Sequence, residues 1–254
     1  MIIDAHTHLG FKNGIKASAA ELISSMDEAG IDKALVFSSD LFGCSTEWLL
    51  AEITEFRERL HPIASISINN ITNKQLKNLK NLLDSRQVFG CKFYVGYEHY
   101  YPYDKVLKPY LKLLENYEKP AIFHSGDTFN CCRNAKLKYA HPLHIDDVAT
   151  DHPELKIVIT HLGNPWIIDT AEVVYKNPNV YTDISGFVYG KLTTEEAKRL
   201  DAAMNQFVDI SSAPERLLFG TDWPISDQKS YATAFNGLAH WSAEVIEKVF
   251  GLNG

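Results

Sequence analysis

The chain alternates between short apolar segments and longer stretches in which apolar residues recur at helical spacing. The apolar segments are rich in β-branched residues, and Ile157, Val158 and Ile159 follow one another without a polar residue between them. Such runs are typical of parallel strands that are covered on both faces. Eight segments fit this description: 2–4, 33–37, 63–67, 88–93, 121–124, 156–160, 180–183 and 217–220. They begin 24 to 37 residues apart, which leaves room for a helix and two loops, so the pattern predicts parallel βαβ units.

The stretches between these segments carry helix signals at their ends. Ser18 with Glu21, and Thr193 with Glu196, have the spacing of a capping box, in which each side chain satisfies a backbone N–H group of the other residue. Gly30 is predicted to end the first of these helices. Further helices are predicted from Asn73, from a cap at Asp104, and over 231–238 and 242–250.

Eight strand–helix alternations are compatible with an open doubly wound sheet or with a closed barrel. No glycine-rich phosphate-binding motif follows the first strand, which argues against a dinucleotide-binding sheet. A length of 254 residues is typical of one closed barrel. We therefore predict an α/β fold of the (β/α)8 TIM-barrel class, as a single domain over residues 1–254.

Composition and charge exclude several classes of protein. With 45% hydrophobic and 22% charged residues, the chain can form a sizeable core and is not expected to be disordered. The net charge of −7 argues against binding to nucleic acids or to anionic membranes. No apolar stretch approaches the roughly 20 residues of a membrane span, and no signal peptide is recognisable. The four cysteines form no CxxC motif, and the adjacent Cys131 and Cys132 are badly placed to pair, so we expect reduced thiols in a cytoplasmic protein.

The carboxyl ends of the strands in such a barrel meet on one face, and that face carries the active site. His6 and His8 follow the first strand, and because they are two residues apart their side chains project to the same side of an extended chain. His124, His161 and Asp222 follow the fifth, sixth and eighth strands. Imidazole and carboxylate groups are the ligands of catalytic zinc sites, which leave one position for water. Each histidine alone fits a core residue equally well, but together the five predict a divalent-metal site with Asp222 as general base.

The motifs at five strand ends resemble those of the amidohydrolase superfamily, and within it the amidohydrolase-2 branch of metal-dependent hydrolases and decarboxylases. They occur in the expected order and span nearly the whole chain: Asp4-Ala-His-Thr-His8, Gly90-Cys-Lys-Phe-Tyr94, Ile122-Phe-His-Ser-Gly126, Ile159-Thr-His-Leu-Gly163 and Gly220-Thr-Asp-Trp-Pro224. An HxH motif alone is a weak signal, whereas the whole series on a barrel rhythm is specific.

The resemblance implies a set of metal ligands and catalytic residues. His6, His8, His124 and Asp222 would bind a divalent metal, zinc with manganese as the alternative, and one ion is expected rather than two. His161 would bind a second metal, or orient the attacking water and polarise a carbonyl group. Lys92 has two interpretations: a carboxylated lysine that bridges two metals, as in some relatives, or an unmodified lysine that pairs with a carboxylate or contacts an anionic substrate.

Residues around the predicted metal site are candidates for substrate contacts. The loop 94–103 contains five tyrosines, of which we assign Tyr94 and Tyr97 to the substrate pocket. Arg133 could bind a carboxylate with its forked guanidinium group, and Trp223 follows Asp222 directly. Asp183 and Ser185, at the end of the seventh strand, have positions that are compatible with a pocket role.

Three hypotheses about function follow. The first is a metal-dependent hydrolase that attacks an amide, lactone or ester-like bond of a small molecule with activated water. The second is a non-oxidative decarboxylase that protonates a ring carbon before carbon dioxide leaves. The third is a barrel that binds metal or ligand without turnover. We expect a small-molecule substrate and no nucleic-acid or membrane partner, and a homo-oligomer is compatible with a barrel of this size.

Overall fold

The computed structural model describes residues 1–10, 17–130, 132–237 and 241–252. Within these residues, eight strands form one sheet in the order β1 to β8, and every neighbouring pair is parallel. The strands are β1 Ile3–His8, β2 Lys33–Phe37, β3 Leu60–Ile66, β4 Cys91–Phe93, β5 Ala121–Phe123, β6 Ile157–Ile159, β7 Val180–Asp183 and β8 Leu217–Leu218. The N–H of Ala5 donates to the carbonyl oxygen of Phe219 at 2.8 Å, and that of His8 to Trp223 at 2.7 Å, so β1 meets the segment after β8. The predicted (β/α)8 barrel is confirmed.

Only β2 and β7 have the predicted bounds at both ends, and the other described strands differ by one to four residues at an end. β1 continues to His8, so both histidines of the HxH motif lie inside the strand, and its register shifts between Asp4 and Thr7. β3 begins at Leu60, although Pro62 lacks the N–H group that a strand normally offers. The carbonyl oxygen of Pro62 still accepts a hydrogen bond from Phe89 N at 2.9 Å.

Helices follow the strands in turn. In the described residues they are α1 Ala19–Ala29, α2 Thr46–Glu52, α3 Asn73–Asp84, α4 Lys108–Asn116, α5 His144–Asp151, α6 Ile167–Lys176, α7 Thr194–Ser211, α8 Gln228–Asn236 and α9 Ala243–Glu247. Both predicted capping boxes are present, at the start of α1 and of α7, and Gly30 ends α1 in the left-handed conformation. Asp104 has the predicted cap position, before a 3-10 turn over Lys105–Leu107 that leads into α4 at Lys108. Its side chain makes no capping hydrogen bond, however, and accepts instead from Tyr101 N at 2.9 Å.

A small apolar cluster forms the floor of the barrel's carboxyl end. It consists of Phe37, Ile63 and Ile122, separate from the large core between the sheet and the helices. The Phe37 ring lies 4.4 Å from the ring of His6, and the Lys92 ammonium group lies 4.8 Å from the Phe37 ring centroid. The polar groups described below therefore stand directly on an apolar base that excludes water.

The structure bears on two features that the sequence analysis considered, membrane-spanning helices and disulfide bonds. Among the residues that it describes, no helix combines the length and the apolarity needed to cross a membrane. Cys44, Cys91 and Cys132 are free thiols. Cys131 lies outside the described residues, as does residue 238 at the end of one predicted helix.

Candidate metal centre

A cavity of about 650 Å³ opens at the carboxyl ends of the strands, where the sequence predicted the site. Arg133 and Trp223 are absent from its lining as far as the described residues show. The remaining eight predicted site residues line it: His6, His8, Lys92, Tyr94, Tyr97, His124, His161 and Asp222. Residues 216 positions apart in sequence, from His6 to Asp222, thus share one pocket.

Three ligand-type atoms form a compact triangle in this cavity. Nε2 of His6 lies 3.2 Å from Nε2 of His8, and Oδ1 of Asp222 lies 3.5 Å from the first and 3.3 Å from the second. Donor atoms placed about 2.0–2.1 Å from a tetrahedral zinc ion are separated by about 3.3–3.4 Å. All three side chains are buried. The triangle therefore has the atoms, the spacing and the burial that a divalent ion requires.

A second contact of His6 determines which of its ring nitrogens carries the proton. Nδ1 of His6 lies 2.9 Å from Oδ2 of Asp183. Burial, with the charge of Lys92, lowers the pKa of His6 to about 3, so its ring is neutral near pH 7. Burial opposes ionisation of Asp183, but the hydrogen bond from His6 holds its pKa below the usual value. Nδ1 of His6 therefore donates to an ionised carboxylate, and Nε2 presents its lone pair to the triangle.

Asp222 reaches the triangle from an unusual backbone conformation. Its φ of 68° lies in the left-handed region, and its N–H donates to the carbonyl oxygen of His6 at 2.8 Å. Although burial opposes ionisation, the hydrogen bond with His8 lowers the pKa of Asp222. The group is therefore a carboxylate, which can bind a cation or accept a proton.

Gly186 allows the ligand-bearing segments to approach one another. Its φ is 73°, and a Cβ atom there would lie 2.7 Å from Nδ1 of His161 and 3.3 Å from Oδ2 of Asp222. The first distance is too short for a carbon atom, and the backbone conformation disfavours other residues. A glycine is therefore required between His161 and Asp222.

His161 belongs to a second cluster, with His6 and Asp183, whose ligand-type atoms are also close together. Nδ1 of His161 lies 2.9 Å from Oγ of Ser185, and the His161 N–H donates to Oδ1 of Asp183 at 2.9 Å. Nδ1 of His6 in this cluster already contacts Oδ2 of Asp183 at 2.9 Å. The triangle with Asp222 is the better candidate for an ion, because its edges of 3.2 to 3.5 Å match the spacing of donor atoms around one ion.

His124 lines the cavity but stands apart from the triangle. Its ring centroid is 5.2 Å from that of His161, and its Nε2 lies 2.9 Å from the carbonyl oxygen of Asp127. Burial and the nearby charge of His161 keep the pKa of His124 well below its usual value. Metal binding by His124 stays a prediction, since Nε2 would have to exchange its contact with Asp127 for the ion.

Lys92 is a buried amine without a hydrogen-bond partner for Nζ in the part of the chain that the structure describes. Its surroundings are aromatic, with Nζ 4.8 Å from the Phe37 ring centroid and 5.7 Å from that of Tyr94. Burial lowers its pKa to about 7, against the attraction of Asp183 and Asp222. An unpaired buried amine is costly, so this group is available to a ligand that enters the cavity.

One wall of the cavity is aromatic. The ring of Tyr97 lies 5.7 Å from that of Phe42 and 6.3 Å from that of Phe129. Tyr94 lies 6.2 Å from Phe42, and its hydroxyl donates to the carbonyl oxygen of Ser38 at 2.8 Å. The tyrosines therefore have the pocket position that the sequence predicts for them. Phe42 and Phe129 were not assigned to the pocket from the sequence. They follow β2 and β5, and that position is the only sequence signal that could have identified them.

Two predicted substrate contacts lie elsewhere. Arg133 is exposed, and Trp223 packs half-buried against the large core while its carbonyl oxygen accepts from His8 N. Conversely, Asp183 and Ser185 contact both His6 and His161, although only their place at the end of β7 suggested a role. Which side chain turns inward is decided by the loops, which composition does not describe.

Comparison with solved structures identifies the same barrel in other proteins. An uncharacterised TIM-barrel protein of Bordetella bronchiseptica is 23% identical, with a TM-score of 0.78 over 99% of this chain and 96% of that one. A probable 2-pyrone-4,6-dicarboxylic acid hydrolase of Acinetobacter baumannii, with citric acid bound, is 16% identical, with a TM-score of 0.72 over 99% and 97%. A dihydroxybenzoic acid decarboxylase of a Polaromonas species, with manganese and 2-nitroresorcinol bound, is 14% identical, with a TM-score of 0.73 over 99% and 95%. At these identities the likeness concerns the fold.

Sequence comparison gives the family. No curated protein matches the chain significantly. The sequence model of the family Amidohydro_2, described as amidohydrolase, matches residues 3–253. This match includes every strand of the barrel and each residue of the metal triangle. The chain therefore belongs to the amidohydrolase family Amidohydro_2.

Proposed function

We propose that this protein is a metal-dependent hydrolase that uses water to cleave an amide, lactone or ester-like bond of a small molecule. The observation that carries the proposal is the buried triangle of His6, His8 and Asp222, with edges of 3.2 to 3.5 Å inside a cavity of about 650 Å³. A divalent ion there, zinc or alternatively manganese, supplies a Lewis acid that lets water act as a nucleophile near neutral pH. We propose one ion rather than two, because the edges of the triangle fit a single ion, whereas Nδ1 of His6 and Nδ1 of His161 in the second cluster already contact Asp183 and Ser185.

Asp222 is the proposed general base. It is ionised and lies in the triangle, so it can accept the proton of the attacking water and pass it to the leaving group. His161 lines the cavity beside it and is proposed to orient that water. Tyr94 and Tyr97, with the neighbouring phenylalanines, offer an apolar wall for the body of the substrate.

Lys92 favours a second candidate function, the non-oxidative decarboxylation of a carboxylic acid. Its buried Nζ lacks a partner among the described residues and would attract a carboxylate into a pocket with one aromatic wall. In this reaction a proton is added to a ring carbon, and the carboxylate then leaves as carbon dioxide, so that atoms and charge balance. Bridging by a carboxylated Lys92 is the alternative, and it would require a second ion.

Metal content and product analysis test these proposals together. Protein grown with zinc and manganese should contain close to one ion per chain, and a trace amount would refute the metal site. A panel of lactones, esters and amides should then release acid, whereas aromatic carboxylates would release carbon dioxide if the second candidate is correct. Asp222→Asn should abolish turnover without unfolding the protein, and the exposed Asp209→Asn is the matched control. Full metal occupancy with no turnover across the panel would support a binding protein instead.

Several further predictions rest on the sequence alone. They are the single domain over residues 1–254, the cytoplasmic location, the compatible homo-oligomeric state, and the substrate contacts of Arg133 and Trp223.

A further inference from the structure

Asp183 and Ser185 form a buried hydrogen-bonded pair between two histidines of the cavity. Oδ1 of Asp183 lies 2.5 Å from Oγ of Ser185, and Oδ2 lies 2.9 Å from Nδ1 of His6. Oγ of Ser185 lies 2.9 Å from Nδ1 of His161 and 3.0 Å from Nδ1 of His6. Nδ1 of His161 is also 3.2 Å from the carbonyl oxygen of Ser185. Both residues are almost completely buried, so water cannot substitute for these contacts.

The number of protons in this group determines the direction of each hydrogen bond. An ionised carboxylate only accepts, so Asp183 accepts from His6 through Oδ2 and from the backbone N–H groups of His161 and Ser185 through Oδ1. The hydroxyl of Ser185 has a single hydrogen. At 2.5 Å from a carboxylate oxygen, Oγ must donate that hydrogen to Asp183, because two acceptors would repel each other at this distance.

The state of His161 follows from this assignment. Oγ of Ser185 has no hydrogen left for Nδ1 of His161, and the carbonyl oxygen of Ser185 can only accept. Nδ1 of His161 therefore carries the proton and donates to both oxygens. In a neutral ring the lone pair is then on Nε2, the nitrogen that remains for the cavity.

We propose that Asp183 and Ser185 are positioning residues that hold both His6 and His161 in the tautomer with the Nε2 lone pair directed toward the reaction site. This inference rests on the proposed function for its purpose, since it gives His6 a metal-binding nitrogen and directs the Nε2 lone pair of His161 toward water. With its proton on Nδ1, the ring has no hydrogen on Nε2 to donate to a substrate carbonyl group. Of the roles predicted for His161, the network thus supports orientation of the attacking water and argues against polarisation of a carbonyl group.

Asp183→Asn should move the ring proton of His6 from Nδ1 to Nε2. Oδ1 receives three hydrogen bonds, so the asparagine carbonyl oxygen will occupy that position and its NH2 group will face Nδ1 of His6. Two donors cannot share this contact, and the proton of His6 must move to Nε2, inside the triangle. We expect zinc affinity to fall by about 10–100-fold, as for other residues that orient a metal-binding histidine.

Ser185→Ala provides a second variant with a different expected pattern. It removes the oxygen that accepts from Nδ1 of His161 at 2.9 Å but leaves the contact between His6 and Asp183. Zinc affinity should stay within about twofold of the original protein. Part of the His161 population should move its proton to Nε2, and kcat should fall about tenfold with little change in KM, as expected for one buried hydrogen bond.

Nuclear magnetic resonance on the full chain labelled with ¹⁵N-histidine tests the inference without any substrate. Long-range ¹H–¹⁵N couplings show which ring nitrogen carries the proton, and His6→Gln and His161→Gln assign the two signals. In the metal-free protein both rings should be protonated at Nδ1. Asp183→Asn should shift His6, Ser185→Ala should shift His161 alone, and Asp209→Asn should change neither.

Two results would overturn the proposal: protonation of His161 at Nε2 in the unaltered protein, or unchanged tautomers in both variants with the thermal unfolding transition retained. Because the spectra are recorded without metal, a protein that binds no zinc can still confirm the positioning pair, and that result would refute the proposed function alone.

Discussion

Lys92→Met should make the metal-free protein more stable at neutral pH. The pKa of Lys92 is lowered from its usual 10.5 to about 7 by burial, and Nζ has no hydrogen-bond partner in the described part of the chain. At 1.36 kcal/mol for each pH unit, this difference corresponds to about 5 kcal/mol of unfavourable free energy when the amine is charged. At pH 7 about 4 kcal/mol of this cost is present, because the folded protein then holds about half a proton there.

The pH dependence gives the sign of the effect. Below pH 7 the amine is charged in both the folded and the unfolded chain, and the whole cost destabilises the fold. Between pH 7 and 10.5 the unfolded chain binds more protons than the folded one, so the free energy of unfolding rises with pH. The advantage of Lys92→Met should therefore be largest below pH 7 and should largely disappear near pH 10.5, leaving the small difference in packing.

Urea unfolding of both proteins at a series of pH values measures this difference directly. Lys77, which is exposed on α3, provides the matched control, and Lys77→Met should change stability by less than about 0.5 kcal/mol at every pH. A constant difference between Lys92→Met and the original protein from pH 6 to 10 would show that the buried charge is not the cause. The same variant should lose affinity for carboxylate ligands, so the unpaired amine would be a stability cost retained for binding.

Three further predictions concern the ion, the glycine and the aromatic wall. Adding zinc to metal-free protein at about 100 times its Kd should raise the free energy of unfolding by about 2.7 kcal/mol, and an unchanged melting temperature would argue against the site. Gly186→Ala should cost about 1–3 kcal/mol more than Gly190→Ala in urea unfolding, because both have positive φ but only the former meets His161; equal losses would contradict this. Phe42→Ala should raise KM about tenfold with kcat nearly unchanged, whereas the exposed Leu41→Ala should change neither, and a purely kcat effect would exclude a wall role.

Local patterns in the sequence were sufficient to predict the alternating strands and helices of the barrel. The capping boxes at Ser18 and Thr193 formed as predicted because their hydrogen bonds join residues three positions apart. The apolar runs became strands because parallel strands covered on both faces need continuous apolar side chains. Asp104 has the predicted cap position, but its side chain does not cap, because a neighbouring backbone N–H, that of Tyr101, competes for the same carboxylate.

The candidate site likewise has one part that the sequence determined and another that only the folded chain decided. The sequence by itself determined that His6, His8 and Asp222 would meet, because strand order and parallel direction bring the carboxyl ends of distant strands to one face. Only the tertiary structure decided which neighbours these groups have: that Asp183 orients His6, that Nε2 of His124 contacts a backbone carbonyl, and that Nζ of Lys92 has no hydrogen-bond partner within the described residues. These contacts depend on loop conformation and on distances of a few tenths of an ångström, and no residue pattern along the chain encodes either.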